Sequence, residues 1–289
     1  MDYGIVLPHF TAFASEDPAH RIATAAEAAE ALGYSTIWVA DHLVFPSKME
    51  GGYAFNPDDP FLEPLSVLAA LSLKTTRVKL GTAVLILPYR HPLATAKALA
   101  TIDVLSGGRT VVGVGAGWLE QEFDALGVSI KERGRRTDET IDIMKAAWTQ
   151  PAVNFSGKHF EIADIKCLPQ PVQTPRPPVL IGGMTKGALR RVARRGDGWI
   201  AMGNSPEAIA APLETLAALT EQAGRSMADL QLCMLPLAAP SLDRLLDDLP
   251  GYEKLGLQHV YLSFRAWTND FSELMQLMER FAREAGLGS

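Results

Sequence analysis

Eight short apolar runs, each followed by a longer amphipathic run, constrain the fold of this chain more than any other feature of its sequence. The apolar runs are too continuous for half-exposed strands, which is typical of strands buried on both faces. They are Gly4–Pro8, Thr36–Ala40, Val78–Leu87, Thr110–Val114, Val179–Gly182, Gly198–Met202, Leu230–Leu235 and Val260–Phe264. The runs with helical periodicity are Ala19–Leu32, Phe61–Lys74, Pro92–Leu105, Arg135–Thr149, Lys186–Arg195, Pro206–Ala223, Leu242–Leu255 and Phe271–Ala285. This strict alternation predicts a parallel sheet covered by helices.

Eight evenly spaced strand–helix units favour closure, and we predict an α/β fold of the (β/α)8 TIM-barrel type; an open doubly wound sheet would use the same alternation. The chain has 289 residues, which suits one barrel, so we expect a single domain over residues 1–289. Residues 151–178 do not fit the repeat. They contain a hairpin-like segment, Val153–Ile162, with Ser156-Gly157 at its turn, and then a proline-rich run. We interpret them as an insertion on the barrel rim that forms a lid or a subunit contact.

Composition and charge narrow the class of protein. The formal net charge of −6 argues against a nucleic-acid partner, which needs clustered excess Lys and Arg. The two cysteines, Cys167 and Cys233, are isolated, and no paired Cys/His spacing indicates a metal site. The chain start lacks the basic region of a signal peptide, and no apolar run reaches the length of a membrane span. We therefore expect a cytoplasmic protein with no membrane partner and no metal.

Function in such barrels is carried at the C-terminal ends of the strands and in the loops that follow them. Asp41 and His42 end the second strand. An imidazole here can donate or accept a proton near neutral pH, and the adjacent carboxylate would hold its tautomer; the alternative is a histidine hydrogen-bonded into a loop. Glycine at position 81, late in the third strand, indicates either a bulge or a simple accommodation of strand twist.

Two glycine-rich segments follow the fourth and fifth strands. Residues Gly113–Trp118 match a dinucleotide fingerprint only in part, and we interpret Gly115 and its neighbours as room for a flat molecule beside Trp118; rim packing is the alternative for that tryptophan. Residues Gly182–Lys186 open a helix, where backbone amides and the helix dipole favour a phosphate. A tight strand-to-helix turn would explain the same residues without a ligand.

These segments together resemble the bacterial luciferase-like superfamily, and within it the coenzyme F420-dependent branch. The resemblance is carried by W-V-A-D-H at 38–42, G-T-A-V-L at 81–85, G-x-G-A-G-W-L-E-x-E-F at 113–123, E-R-G-R-R-T-D-E at 132–139 and I-G-G-x-x-x-x-A-L-R-R-x-A-R-x-G-D-G-W at 181–199. It covers nearly the whole chain in the same order and is weakest after about residue 205. Members of this superfamily are (β/α)8 barrels.

The resemblance implies a role for each matching position. His42 matches a histidine that exchanges a proton at the reacting carbon, and Asp41 matches an acid near the deazaflavin ring. Ala83-Val84 matches a non-prolyl cis peptide that bulges beneath the ring. The phosphate cradle corresponds to Gly182 and Gly183 with the amides of Met184 and Thr185.

The resemblance implies an F420-dependent oxidoreductase that transfers a hydride between the deazaflavin and a small organic substrate. Sugar-phosphate dehydrogenases of the family have a glutamate where Trp118 stands, so we expect a more apolar substrate. The side chains that would add to an apolar lining are Phe10, Val44, Phe45, Tyr53 and Phe55. The alternatives are an FMN-dependent monooxygenase, a flavin-binding barrel without turnover, and an unrelated (β/α)8 hydrolase or isomerase. Family analogy and the apolar helices suggest a homodimer.

Overall fold

Parallel strands close into a barrel in the computed structural model, which describes residues 1–48, 56–236 and 239–288. The barrel strands are Asp2–Val6 (β1), Thr36–Val39 (β2), Lys79–Thr82 (β3), Leu85–Ile86 (β4), Thr110–Gly115 (β5), Val179–Gly182 (β8), Gly198–Gly203 (β9), Gln231–Pro236 (β10) and His259–Leu262 (β11). β1 pairs with β2 and β11, and β3 pairs with β5, so the sheet has no open edge. β3 and β4 share one strand position, which gives the eight positions that the sequence predicts.

Helices follow the strands and cover the barrel. They are Pro18–Ala31 (α1), Pro64–Ser72 (α2), Pro92–Ser106 (α3), Glu120–Ala125 (α4), Arg133–Thr149 (α5), Lys186–Arg195 (α6), Pro206–Gln222 (α7), Leu242–Lys254 (α8) and Phe271–Glu284 (α9). Four of them begin at a proline, whose missing N–H costs nothing in the first turn of a helix. Among the residues that the structure describes, no helix has the length and apolar character needed to cross a membrane.

The buried residues form two clusters because neighbouring side chains of a strand point to opposite faces. Ile37 and Val112 belong to the large cluster between the sheet and the helices. A smaller cluster fills the barrel interior and consists of Trp38, Ala83, Val111, Leu180, Ile200, Cys233 and Tyr261. A Cβ atom at Gly81 would lie 2.4 Å from the Trp38 ring. Glycine at position 81 therefore makes room for this tryptophan.

Several predicted boundaries are wrong for identifiable physical reasons. The predicted strand over residues 78–87 is interrupted at Ala83 and Val84, where the chain bulges. The predicted helix over residues 61–74 begins only at Pro64, because the Glu63 side chain accepts a hydrogen bond from the Ser66 amide and caps it. The short helix α4 has no counterpart among the predicted helices.

The hairpin predicted within residues 151–178 is present, formed by Val153–Ser156 (β6) and Glu161–Ile165 (β7). It lies against α5, where the Glu139 carboxylate accepts from the amides of Lys158 and His159. The proline-rich segment continues along α3, where Asp103 accepts from the Val172 amide. These contacts hold the insertion on the helical layer.

Candidate active site

His42, just beyond the end of β2, is bound by a glutamate from a distant part of the chain. Its Nδ1 lies 2.8 Å from Oε2 of Glu122, which α4 supplies from 80 residues further along. The side chain of His42 is 6% exposed and that of Glu122 is fully buried. A buried, bonded imidazole at a barrel strand end has the placement of a proton-transfer group.

Glu122 accepts hydrogen bonds on both of its carboxylate oxygens. Oε1 accepts from the amides of Leu43 (2.6 Å) and Val44 (3.2 Å), and Oε2 accepts from the Tyr89 hydroxyl (2.9 Å) as well as from His42. Burial alone would raise the pKa of Glu122, but the bonds from His42, the Leu43 amide and Tyr89 outweigh it and bring the pKa below its usual value. Burial and the Glu122 charge both raise the pKa of Tyr89, so the phenol stays a neutral donor.

Asp41 is engaged by a second network. Its carboxylate accepts a bidentate pair of bonds from Arg90 at 2.5 and 2.9 Å, and a third from the Ile86 amide at 2.8 Å. Burial raises the pKa of Asp41, although the guanidinium and the amide act in the opposite direction. The expectation that this adjacent carboxylate holds the tautomer of His42 is therefore wrong, because Glu122 bonds Nδ1. The predicted contact between Asp41 and a cofactor ring stays a prediction.

Aromatic side chains surround His42. The ring centroids of Phe45, Phe61 and Trp118 lie 4.8, 5.5 and 5.8 Å from the imidazole centroid. Phe10 stacks on Phe61 at 4.8 Å, with 20° between the ring planes. Of the residues predicted to line an apolar pocket, Phe45 contacts His42 and Phe10 contacts Phe61; their contact with a substrate stays a prediction. Val44 bonds Glu122 through its amide, and its side chain is 40% exposed; Tyr53 and Phe55 lie outside the described residues.

The bulge between β3 and β4 meets both glycine-rich segments. The Ala83-Val84 peptide bond is cis, as the resemblance implies. A Cβ atom at Gly115 would lie 2.6 Å from one Val84 methyl group, and a Cβ atom at Gly182 would lie 2.7 Å from the other. The Val84 side chain therefore fits between two strands only because both positions are glycine. The cofactor contacts predicted for Gly115 and Gly182 stay predictions beside this packing role.

Substituting Gly182 with alanine should lower the free energy of unfolding by about 1–3 kcal/mol, the usual cost of overpacking a tight contact. In the Val84→Ala background the methyl groups that the new Cβ would meet are gone, so Gly182→Ala should lower the free energy of unfolding much less there than in the wild-type background. Urea unfolding of the two single variants and the double variant measures the coupling. Gly187→Ala is the matched control, since its Cβ would meet only Thr185 Oγ1 at 3.9 Å. Additive effects of the two changes would contradict the contact.

The N-terminus of α6 presents backbone amides beside this bulge. Gly183 has a φ of +122°, a conformation that favours glycine, and its amide donates to the Ile200 carbonyl at 3.4 Å. Thr185 caps the helix by accepting from the Ala188 amide. In the described part of the chain, the amides of Met184 and Thr185 donate to no protein acceptor. Free amides at the positive end of a helix dipole suit a phosphate group.

The predicted site residues lie at one end of the barrel, on neighbouring strand positions from β2 to β8. The sequence analysis missed Glu122, Tyr89 and Arg90, and it missed His9, whose ring is fully buried and bonds Leu7 and Ala40. The one usable signal was a carboxylate in the E-x-E-F segment next to the Gly113–Trp118 run. Among the described residues, no group of three or more His, Cys, Asp or Glu is arranged to hold a metal ion; the absence of a metal stays a prediction.

Comparison with known proteins adds several similarities. The sequence profile described as luciferase-like monooxygenase matches residues 1–244. An uncharacterized protein of Mycobacterium tuberculosis (strain ATCC 25618 / H37Rv) is 37% identical over 235 residues, which cover 78% of this chain and 80% of that protein. The F420-dependent glucose-6-phosphate dehydrogenase of Amycolatopsis mediterranei is 36% identical over 176 residues, 60% of this chain and 50% of that enzyme. The FMNH(2)-dependent dimethylsulfone monooxygenase of Pseudomonas putida is 35% identical over 168 residues, 57% of this chain and 46% of that enzyme.

Solved structures share the fold at low sequence identity. The monooxygenase RslO1 from Streptomyces bottropensis superposes with a TM-score of 0.79 at 23% identity and covers 98% of both chains. The coenzyme F420-dependent tetrahydromethanopterin reductase of Methanopyrus kandleri superposes with a TM-score of 0.75 at 18% identity, over 96% of this chain and 97% of that chain. These likenesses agree with the closed (β/α)8 barrel described above.

Proposed function

Since the chain belongs to the luciferase-like monooxygenase family, we propose that it is a coenzyme F420-dependent oxidoreductase acting on a small, apolar organic substrate. One observation carries this proposal: a buried histidine paired with Glu122 lies at the same end of the barrel as free helix amides suited to a phosphate. The proposal thus combines a proton-exchanging group with a binding site for a phosphate-bearing ring cofactor.

The residues present fit such a cofactor. The amides of Met184 and Thr185 would bind its phosphate, with the Lys186 charge beside them. The Ala83-Val84 bulge would support its ring, and the Asp41 ion pair with Arg90 would anchor that bulge through the Ile86 amide. When bound, the deazaflavin supplies a carbon that accepts or gives up a hydride.

In this proposal the protein manages the proton that accompanies the hydride. His42 would take up the proton from a substrate hydroxyl as a carbonyl forms, or return it in the opposite direction. Phe45, Phe61 and Trp118 would surround the reacting group and exclude water from it, which strengthens electrostatic interactions there. An aromatic wall of this kind favours apolar alcohols and carbonyl compounds over sugar phosphates.

Titration of the apo-protein with F420 and with FMN, followed by fluorescence, tests the cofactor. We expect F420 to bind at low micromolar concentration or better, and FMN to bind at least tenfold more weakly, about 1.4 kcal/mol. Riboflavin is the matched control for FMN, because it lacks the phosphate and should bind more weakly still if the α6 amides hold that group. Tighter binding of FMN, with oxygen consumption when reduced FMN and a substrate are present, would contradict F420 dependence.

The second candidate is an FMN-dependent, two-component monooxygenase. It is favoured by the dimethylsulfone monooxygenase, which is about as similar to this chain as the F420-dependent dehydrogenase. A third possibility, a flavin-binding barrel without turnover, is disfavoured by the complete His42–Glu122 pair. For all three we propose a cytoplasmic homodimer without a nucleic-acid or membrane partner.

A further inference from the structure

Glu122 divides its hydrogen bonds between a loop and the imidazole. Oε1 takes the two consecutive amides of Leu43 and Val44, and Oε2 takes His42 and Tyr89. The two amides can only donate, so they fix Oε1 as an acceptor and leave Oε2 aimed at the ring. A carboxylate held in this way accepts from every one of these partners.

The Glu122 contact determines which of the two ring nitrogens of His42 carries the proton. A neutral imidazole carries its proton on one nitrogen, and the partner of the other decides which. Since Glu122 is an acceptor at Nδ1, the proton belongs on Nδ1, and proton exchange with a substrate has to occur at Nε2. An imidazolium formed during turnover would be stabilised by the same carboxylate at 2.8 Å.

We propose that Glu122 is the positioning residue that sets the tautomer of His42, holding the proton on Nδ1 and making Nε2 the exchanging atom. This deepens the proposed function and rests on His42 handling the proton. Asp41, although adjacent in sequence, does not have this role, because its oxygens are bound by Arg90 and Ile86. The Tyr89 hydroxyl donates a second hydrogen bond to Oε2 of Glu122 and helps to hold the carboxylate in this orientation.

Replacing the carboxylate with an amide makes the proposal testable. In Glu122→Gln, the amides of Leu43 and Val44 require the side-chain carbonyl oxygen on their side, so the NH2 group faces His42. Nδ1 then has to accept, and the neutral ring carries its proton on Nε2. The substitution should therefore reverse the tautomer and leave the loop contacts in place.

Long-range 1H–15N spectra of labelled apo-protein at alkaline pH report the tautomer directly, and the His42 signals are assigned by their loss in His42→Ala. We expect an Nδ1-protonated ring in the wild-type protein and an Nε2-protonated ring in Glu122→Gln. Glu120→Gln, the same change on the exposed side of α4, is the matched control and should leave the wild-type tautomer. Tyr89→Phe should also keep it, because Glu122 remains an acceptor.

Turnover and cofactor binding separate the outcomes. Glu122→Gln should bind F420 within twofold of wild type and lose at least 10²-fold in kcat with apolar alcohols and carbonyl compounds as substrates; in a serine protease a comparable tautomer error costs about 10⁴. An Nε2-protonated ring in the wild-type protein overturns the positioning role even if the variant does not fold. An unchanged tautomer in Glu122→Gln, or a reversed tautomer with unchanged kcat, overturns it as well. Failure to bind either F420 or FMN would instead overturn the proposed function and leave the tautomer result standing.

Discussion

Replacing Arg90 with methionine should lower the free energy of unfolding by about 3–5 kcal/mol, the usual cost of breaking a buried ion pair from one side. The side chain of Asp41 is fully buried and that of Arg90 is 13% exposed. Methionine fills a similar volume but cannot replace the two hydrogen bonds and the positive charge of Arg90. Of the bonds to the Asp41 carboxylate described above, only the one from the Ile86 amide would remain. Urea unfolding at neutral pH measures the loss.

The loss in Arg90→Met should depend on pH with a definite sign. Burial already raises the pKa of Asp41 in the folded protein, and removal of the guanidinium raises it further. A carboxyl group with a higher pKa in the folded state than in the unfolded state favours folding most when it is protonated. Its contribution declines as pH rises from about 3.9 through the folded pKa. The difference in unfolding free energy between variant and wild type should therefore be smaller near pH 4 than at neutral pH.

A surface arginine provides the control for Arg90. Arg280 bonds Asp243 and Glu284 on the exposed faces of α8 and α9. Arg280→Met should lower the free energy of unfolding far less than Arg90→Met and should show little of the pH dependence, because the carboxylates of Asp243 and Glu284 remain hydrated without the arginine. Equal losses at the two sites, or a loss at Arg90 that is larger in acid, would mean that the buried pair does not stabilise the fold as described.

The barrel was predictable because its signal is local. A strand buried on both faces and an amphipathic helix each leave a periodicity within a few residues, and eight repeats reinforce one another. The break in the predicted strand over residues 78–87 left no such trace, because Val84 is accommodated by Gly115 and Gly182 on other strands. The late start of α2 depends on a cap by Glu63, which is visible only once the backbone amide of Ser66 is placed.

The site was predictable only in part. His42 and the Gly182–Lys186 segment lie at the C-terminal ends of predicted strands, so the barrel fold was enough to identify them as candidate site residues. The partner of His42 was not predictable from spacing, since Glu122 lies 80 residues away and on a helix too short to leave a strong pattern. Sequence adjacency instead favoured Asp41, whose side chain turns to Arg90. Whether Asp41 or Glu122 contacts the His42 imidazole is decided by tertiary packing, which sequence spacing does not show.

Replacing His42 with alanine should lower kcat by roughly 10²–10⁴-fold, the usual contribution of a general acid or base. The affinity for the cofactor should stay within about twofold, because none of the groups proposed to hold the phosphate contacts His42. Fluorescence titration, thermal unfolding and turnover on a panel of apolar alcohols and carbonyl compounds, all with one preparation, measure the three quantities together. A structural histidine predicts a different pattern, in which stability and cofactor affinity fall along with turnover.

His9 supplies that contrasting pattern within the same protein. Its ring is fully buried near the ends of β1 and β2, and burial lowers its pKa to about 4, so it stays neutral while it bonds Leu7 and Ala40. His9→Ala should lower the melting temperature clearly and change kcat per folded molecule by less than tenfold, whereas His42→Ala should do the reverse. If His42→Ala turns over at the wild-type rate, the proton is handled elsewhere. Glu122 would then only anchor the Leu43–Val44 loop, and the catalytic assignment would have to be rebuilt around another group at this end of the barrel.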